Sequence, residues 1–152
     1  ERISVTGFTD IQRAAMFYVL VKTGFGASLR TFGCNKKRLN TDNFADIEAR
    51  LDGVVIENKD FEDLIKVYDR EKALFYCDPP YHKTERHYTV KFTEDDHERL
   101  CRVLHQIKGR FVLSYNDDKY VRDLYKDYNI QAVTRNNSLS SGDFKEVIIT
   151  NF

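Results

Sequence analysis

The sequence predicts an α/β fold whose sheet is mostly parallel, with an antiparallel last strand. From Gly53 onward, short apolar runs alternate with segments whose apolar residues follow helical spacing. Such alternation is typical of parallel strands joined by helices. The last two apolar runs, 130–134 and 146–150, flank a loop rich in Ser, Asn and Gly, so they are close enough along the chain to pair antiparallel.

The N-terminal third of the chain is predicted to contain two helices separated by a loop. Thr9 can cap a helix whose apolar residues follow helical spacing over 11–21. Glycines and basic residues interrupt this pattern over 24–40, which favours a loop. A short amphipathic helix over 44–51 follows, and Gly53 is placed to end it.

The remainder of the chain is predicted to supply the sheet and its helices. The strands are short runs of β-branched and aromatic residues, and the helices carry apolar residues on one face. Strands are predicted at 54–56, 73–77, 111–113, 130–134 and 146–150, and helices at 61–68, 93–107 and 121–125, with Thr93 as the cap of the second helix. The best boundary lies near Gly53, between a helical segment, 1–52, and a sheet-forming segment, 53–152.

The charge distribution favours a nucleic-acid partner, even though 24 basic and 24 acidic residues balance over the chain. The stretch from Ile11 to Thr41 contains six basic residues and no Asp or Glu. The rest of the chain is therefore net acidic. A segregated positive segment is the electrostatic footprint of a surface that contacts the phosphate backbone.

Composition argues against several other classes of protein. Three cysteines without a CxxC pair disfavour disulfide bonds and zinc, and they fit a reducing cytoplasm. The four histidines form no metal-binding pattern, and His97 and His105, on a predicted helix, are expected to face solvent. No run of about 18 apolar residues predicts a membrane span, and residues 1–10 do not resemble a signal peptide.

The strongest functional signal is Asp78-Pro79-Pro80-Tyr81, which directly follows the predicted strand 73–77. Ligands of open α/β sheets bind at the carboxyl ends of strands. These prolines are the only two in the chain, and their fixed φ angles would hold a carboxylate and an aromatic ring as a rigid unit. The alternative is a turn that ends the strand, with Tyr81 packed on the surface.

The tetrapeptide resembles the catalytic motif of Dam-type adenine-specific DNA methyltransferases, and the resemblance extends from about Ile11 to the end of the chain. Residues 53–61 are similar to the family's strand that ends in Asp-Phe, and residues 111–117 to the strand and turn after the catalytic motif. Residues 135–149 resemble its closing Arg-x-x-Ser loop and last strand. The resemblance implies a partial Rossmann-like methyltransferase sheet, preceded by a small helical and loop segment that contacts DNA.

The resemblance also implies roles for the four residues of the motif. Asp78 and the Pro79 carbonyl accept the two N–H bonds of a flipped-out adenine, and Pro80 stiffens the loop. Tyr81 stacks on the base and so offsets part of the cost of flipping. Methyl transfer of this kind needs no metal.

The methyl donor that the resemblance implies is S-adenosylmethionine. Asp60 and Phe61 correspond to the residues that hold its adenine, and Asp78 belongs with them as a cofactor-binding residue. Considered without the resemblance, Asp60 is a helix cap and Phe61 a core residue.

Candidate contacts to double-stranded DNA lie in the basic loop and in the last hairpin. Basic side chains neutralise phosphates, Arg30 could pair with a base, and Phe25 could wedge into the base stack. The alternatives are a solvated loop and a structural hairpin rich in Ser and Asn. The candidates are Phe25, Arg30, Asn35, Lys36, Lys37, Arg38, Arg135, Ser138 and Ser140.

One motif of the family is not found in residues 1–152. It is the Gly-rich strand motif, which holds the methionine end of the cofactor. Two classes of function follow. The first is a methyltransferase that works with a missing N-terminal segment and is inactive without it. The second is a noncatalytic remnant that binds DNA. Relatives that methylate glutamine or protein carry Asn-Pro-Pro-Tyr, whereas this chain has Asp78. The resemblance also implies that the family's first two strands, which lie between the strands 54–56 and 73–77, are missing. This leaves either a gap or a direct pairing of those two strands, and open strand edges predict a rearranged sheet or self-association.

Overall fold

The computed structural model describes residues 7–24, 43–84, 91–136 and 143–152. The chain divides into two compact units, Glu1–Ile56 and Glu57–Phe152. The first contains two described helices, and the second contains a sheet with three more. The assignment of DNA recognition to 1–52 and of catalysis to 53–152 stays a prediction.

The two described helices of the first unit confirm the two helices predicted there, whereas the loop predicted over 24–40 lies outside the described residues after Gly24. Helix α1 spans Asp10–Thr23 and begins with a capping box: the Thr9 hydroxyl accepts from the Gln12 amide (3.3 Å), and the Gln12 side chain accepts from the Thr9 amide (2.9 Å). Helix α2 spans Phe44–Leu51. Gly53 follows with φ of +75°, which glycine adopts without strain at a helix end.

The prediction of a strand at 54–56 is wrong. Val54, Val55 and Ile56 form neither helix nor strand, and their side chains are 46%, 71% and 81% exposed. A strand needs a neighbour whose backbone groups pair with its own, and the described sheet consists of four other strands. The β-branched residues favoured a strand through side-chain preference alone, which is strongly dependent on context.

The second unit confirms the other predicted strands and helices, with bounds that differ by a few residues. Helix α4 begins directly after its predicted cap, Thr93. The elements, in chain order, are α3 (Phe61–Tyr68), β1 (Leu74–Cys77), α4 (Glu94–Gln106), β2 (Arg110–Asn116), α5 (Lys119–Leu124), β3 (Asn129–Asn136) and β4 (Asp143–Thr150).

The described sheet is mixed, with strand order β1-β2-β4-β3. Strands β1 and β2 pair in parallel, whereas β4 is antiparallel to both β2 and β3. Three of the described strands therefore run in one direction and the last runs in the other, as the sequence predicted. Because β4 lies between β2 and β3, only one of the described pairings is parallel.

The core lies on one face of this sheet. Phe111, Leu113 and Tyr115 alternate along β2 and are fully buried, and Val147 and Ile149 of β4 lie beside them. Helices α3, α4 and α5 cover this face with apolar side chains, among them Ile65, Leu100, Leu104, Val121 and Tyr125. The buried pattern of β2 fixes its register, and β2 in turn positions the carboxyl end of β1 beside it.

Candidate active site

The carboxylate of Asp78 lies immediately after β1 and is bonded to the neighbouring strand. The Ser114 hydroxyl of β2 donates to Asp78 Oδ1 at 2.9 Å. Asp78 is otherwise exposed to solvent, while Ser114 is buried. This hydrogen bond fixes one carboxylate oxygen to the sheet, and the exposed carboxylate remains available as an acceptor.

The ring of Tyr81 is half-buried and its hydroxyl is anchored. Tyr81 Oη donates to Glu146 Oε1 at 3.1 Å, and its ring centroid lies 6.1 Å from that of Tyr115. Burial raises the pKa of Tyr81 to about 12, and the negative charge of Glu146 acts in the same direction, while Ser114 partly opposes it. The phenol is therefore protonated at neutral pH and remains a donor to Glu146.

The turn after the motif is held at several points. The Thr84 amide (2.9 Å) and hydroxyl (2.8 Å) both donate to the Tyr81 carbonyl. His82 is buried, with its ring stacked on Tyr120 at 4.4 Å and its Nδ1 3.1 Å from an Asp118 oxygen. The sequence predicted a rigid loop from its prolines, and these contacts add anchors that the sequence did not indicate.

The expectation that His97 faces solvent is wrong. The imidazole is fully buried, its Nδ1 lies 2.6 Å from the Tyr115 hydroxyl, and its ring lies 4.8 Å from Phe92. His97 is one helical turn before Leu100, on the face of α4 that packs against the sheet. The same expectation is confirmed for His105, which is exposed and bonds through Nδ1 to the Tyr128 hydroxyl (3.0 Å).

An apolar cavity of about 350 Å³ adjoins Asp78 within the second unit. Its walls come from α3, α4 and β1, and Asp78 and Pro79 are among the lining residues. Phe61 and Phe92 contribute aromatic rings, whose centroids are 5.9 Å apart. A cavity lined mainly by apolar and aromatic side chains, with one carboxylate among its lining groups, suits a planar ring system that carries a polar substituent.

Asp60 caps α3 and is also bound by an arginine. Its Oδ1 accepts from the Glu62 amide at 2.9 Å, while Arg99 bonds both oxygens, at 2.7 Å to Oδ1 and 3.0 Å to Oδ2. The hydrogen bonds from Arg99, assisted by the Glu62 amide, hold the pKa of Asp60 below its ordinary value. Phe61 lines the cavity directly, and Asp60 precedes it at the helix start.

The structure therefore brings together part of the predicted site: Asp78, Pro79 and Phe61 line one cavity, Pro80 and Tyr81 continue the same loop, and Asp60 adjoins Phe61. Arg135 lies in β3, opposite Phe144 in β4, and its side chain is outside the described part. The other candidate DNA contacts also fall outside the described residues, namely Phe25, Arg30, Asn35, Lys36, Lys37, Arg38, Ser138 and Ser140.

Ser114 and Glu146 are site residues that the sequence reasoning missed. Each is a buried polar residue next to apolar ones on a strand. Such residues need hydrogen-bond partners, so the position of Ser114 directly after the predicted strand 111–113, and of Glu146 at the start of the predicted strand 146–150, was a usable signal. Within the described residues, no group of His, Cys, Asp and Glu is arranged to hold a metal ion, and none of the helices has the length and apolar character to cross a membrane.

A family of known proteins matches this chain over most of its length. The model of the family described as "D12 class N6 adenine-specific DNA methyltransferase" matches residues 11–139. The matched range contains the loop 78–81, Asp60, Phe61 and the cavity walls.

Proposed function

The chain belongs to the D12 class N6 adenine-specific DNA methyltransferase family, and we propose that it transfers a methyl group from S-adenosylmethionine to the exocyclic amine of an adenine in double-stranded DNA. The observation that carries the proposal is the position of Asp78. Its carboxylate is bonded by Ser114 at the carboxyl end of β1, where it lines an apolar cavity. A carboxylate placed in this way can accept hydrogen bonds from a base amine.

The chemistry requires acceptors on both N–H bonds of the amine. An adenine amine is a weak nucleophile because its lone pair is delocalised into the ring. The Asp78 carboxylate and the Pro79 carbonyl draw the nitrogen toward tetrahedral geometry and localise that lone pair. S-adenosylmethionine supplies the methyl group, whose bond to sulfur breaks as its bond to nitrogen forms. The amine then loses a proton to Asp78, or to water through it.

The apolar cavity supports a place for the adenine of S-adenosylmethionine. Phe61 and Asp78 both line it, and Asp60 lies at the adjoining helix start. The residues of this cavity fit a purine, because apolar walls cover its faces and neighbouring acceptors can bind its amine. We assign the purine to Asp60 and Phe61, and the methyl-bearing end of the cofactor to the side of Asp78.

Tyr81 is assigned to the target base. Flipping a base out of a duplex costs a few kcal/mol, and stacking on an aromatic ring returns roughly 1–3 kcal/mol. The hydrogen bond to Glu146 restricts the ring of Tyr81 before the base arrives, which reduces the ordering cost of stacking. Contacts to DNA must supply the remaining free energy, and we assign them to the basic stretch between Ile11 and Thr41.

A second candidate function is DNA binding without catalysis. It is supported by the basic stretch between Ile11 and Thr41, which would bind duplex phosphates whether or not Asp78 acts on a base. The two candidates share the basic stretch and differ in whether Asp78 acts on a bound adenine.

Transfer of a labelled methyl group to an adenine-containing duplex separates the two candidates. The chain is assayed alone and with an added N-terminal segment that carries the Gly-rich motif, and Asp78→Ala is assayed beside it. We expect transfer in the completed protein, and a loss of roughly a hundredfold or more in Asp78→Ala, with duplex affinity changed only a few-fold. Transfer that persists in Asp78→Ala would contradict the catalytic assignment, and duplex binding without any transfer would favour the second candidate.

A further inference from the structure

Arg99 of α4 is the centre of a charged network at the start of α3. Besides both oxygens of Asp60, its guanidinium bonds Glu62 Oε2 at 3.3 Å and Asp96 Oδ1 at 3.0 Å. It also lies over the ring of Phe61, 4.1 Å from the ring centroid. One side chain thus contacts three carboxylates and an aromatic face, on two helices that both border the apolar cavity.

The geometry of these contacts restricts the two residues assigned to the purine. A bidentate guanidinium–carboxylate pair fixes the plane of the carboxylate as well as its position. The guanidinium over Phe61 covers one face of that ring and so limits its rotation. Arg99 therefore acts on Asp60 and Phe61 at the same time, while its other bonds, to Glu62 and Asp96, attach it to both helices.

We propose that Arg99 is a positioning residue for the adenine end of S-adenosylmethionine, which holds the Asp60 carboxylate and the Phe61 ring in the arrangement that receives the purine. The proposal rests on the proposed function, because it presupposes that Asp60 and Phe61 bind the cofactor. A purely structural clamp between α3 and α4 would have a different signature: its loss would lower stability and leave the affinity of the folded protein for the purine unchanged.

The test measures binding of S-adenosylhomocysteine to the full chain by amide chemical shifts, which detect dissociation constants in the millimolar range. Arg99→Met removes the positive charge and the guanidinium that bonds both oxygens of Asp60, whereas Arg99→Lys keeps the charge without the bidentate geometry. Arg102→Met is the matched control, since Arg102 lies on the same helix, is exposed and pairs only with Glu98 in the described contacts (3.8 Å).

We expect Arg99→Met to raise the dissociation constant about tenfold, which corresponds to the loss of one favourable polar contact. Arg99→Lys should recover part of the loss, and Arg102→Met should bind as the unchanged chain does. Asp60→Asn, which still caps α3, should weaken binding, and adding Arg99→Met to it should cost less than Arg99→Met costs alone, since the two side chains act together.

Two results would overturn the proposal, and they differ in what else they affect. Binding by folded Arg99→Met that matches or exceeds that of the unchanged chain removes the role of Arg99 and leaves the cofactor site standing. An unchanged chain whose Phe61 and Glu62 amides do not respond to the ligand removes the assigned purine site as well. If Arg99→Met does not fold, Arg99→Lys decides, because equal binding by that variant contradicts a role for the bidentate geometry.

Discussion

The hydrogen bond of the Tyr81 hydroxyl predicts that Tyr81→Phe lowers the stability of the chain, although it keeps the aromatic ring. Stacking on a base needs only the ring, so the sequence predicts that Tyr81→Phe retains base flipping, which a 2-aminopurine duplex reports by fluorescence, and that Tyr81→Ala loses it. The structure adds a hydrogen bond to buried Glu146. We expect Tyr81→Phe to lower the free energy of unfolding by about 1–2 kcal/mol in urea. Unchanged stability would show that this bond contributes nothing.

Two buried tyrosines of the same core provide a matched pair. Tyr115 and Tyr125 are both fully buried, with ring centroids 6.1 Å apart. The Tyr115 hydroxyl is 2.6 Å from His97 Nδ1, whereas that of Tyr125 has no hydrogen-bond partner among the described residues. We expect Tyr115→Phe to destabilise the chain by about 1–2 kcal/mol and Tyr125→Phe to be neutral or stabilising by up to about 1 kcal/mol. Thermal unfolding checks the pair, and the reverse order would contradict it.

At the level of helices and strands, side-chain periodicity predicted most of what the structure contains. Apolar spacing located α3 and α4, and Thr9 and Thr93 were identified as the residues that begin helices. The failures, Val54–Ile56 and His97, share a cause. Local pattern reports which side chains prefer burial, whereas a strand partner or a buried polar pair such as His97 and Tyr115 depends on residues far along the chain.

The candidate site was predictable to the same extent. The tetrapeptide at the end of β1 is contiguous in sequence, so pattern alone found it. The other contacts of the site join residues that are distant in the sequence. The bonds of Asp78 with Ser114, Tyr81 with Glu146, and Asp60 with Arg99 span 36, 65 and 39 residues respectively. Their contacts exist only because β1, β2 and β4 are neighbours and because α3 lies against α4. A single sequence carries no direct signal of such pairings.

The basic stretch makes a prediction that depends on its charge alone, since Lys36, Lys37 and Arg38 lie outside the described residues. Replacing all three with Ala should weaken binding to every duplex to a similar degree. The slope of log affinity against log salt should become shallower, by an amount that corresponds to the loss of up to about three phosphate contacts.

Arg30→Ala should instead alter sequence preference, if Arg30 reads a base.

The control for the triple variant is Lys119→Ala, at an exposed site that pairs with Asp123, and it should leave the salt slope unchanged. An unchanged slope in the triple variant would mean that the three residues contact no phosphate.

At the scale of the whole molecule, the exposed edge of the described sheet predicts self-association. The expected alternative of a direct pairing between 54–56 and β1 is wrong, and β1 has β2 as its only partner among the described strands. Its outward side chains Leu74 and Tyr76 are 63% and 69% exposed. An open apolar edge strand favours association with a second copy. Sedimentation should detect this association, and Tyr76→Lys should reduce it more than Val67→Lys, a change at an exposed apolar residue of α3.

The proposed division of the cofactor site sets the affinity expected of residues 1–152 for S-adenosylmethionine. Contacts to its adenine end through Asp60 and Phe61 are within reach of this chain, because Arg99 of α4 holds both residues at the start of α3. Contacts to its methionine end are not, because residues 1–152 lack the Gly-rich motif. Each lost polar contact costs about tenfold in affinity.

Calorimetry on the isolated chain should therefore show binding of S-adenosylmethionine that is weak or undetectable, and addition of a segment with the Gly-rich motif should strengthen it. Tight, stoichiometric binding by a monomer would contradict this division of the pocket, because residues 1–152 would then have to bind both ends of the cofactor.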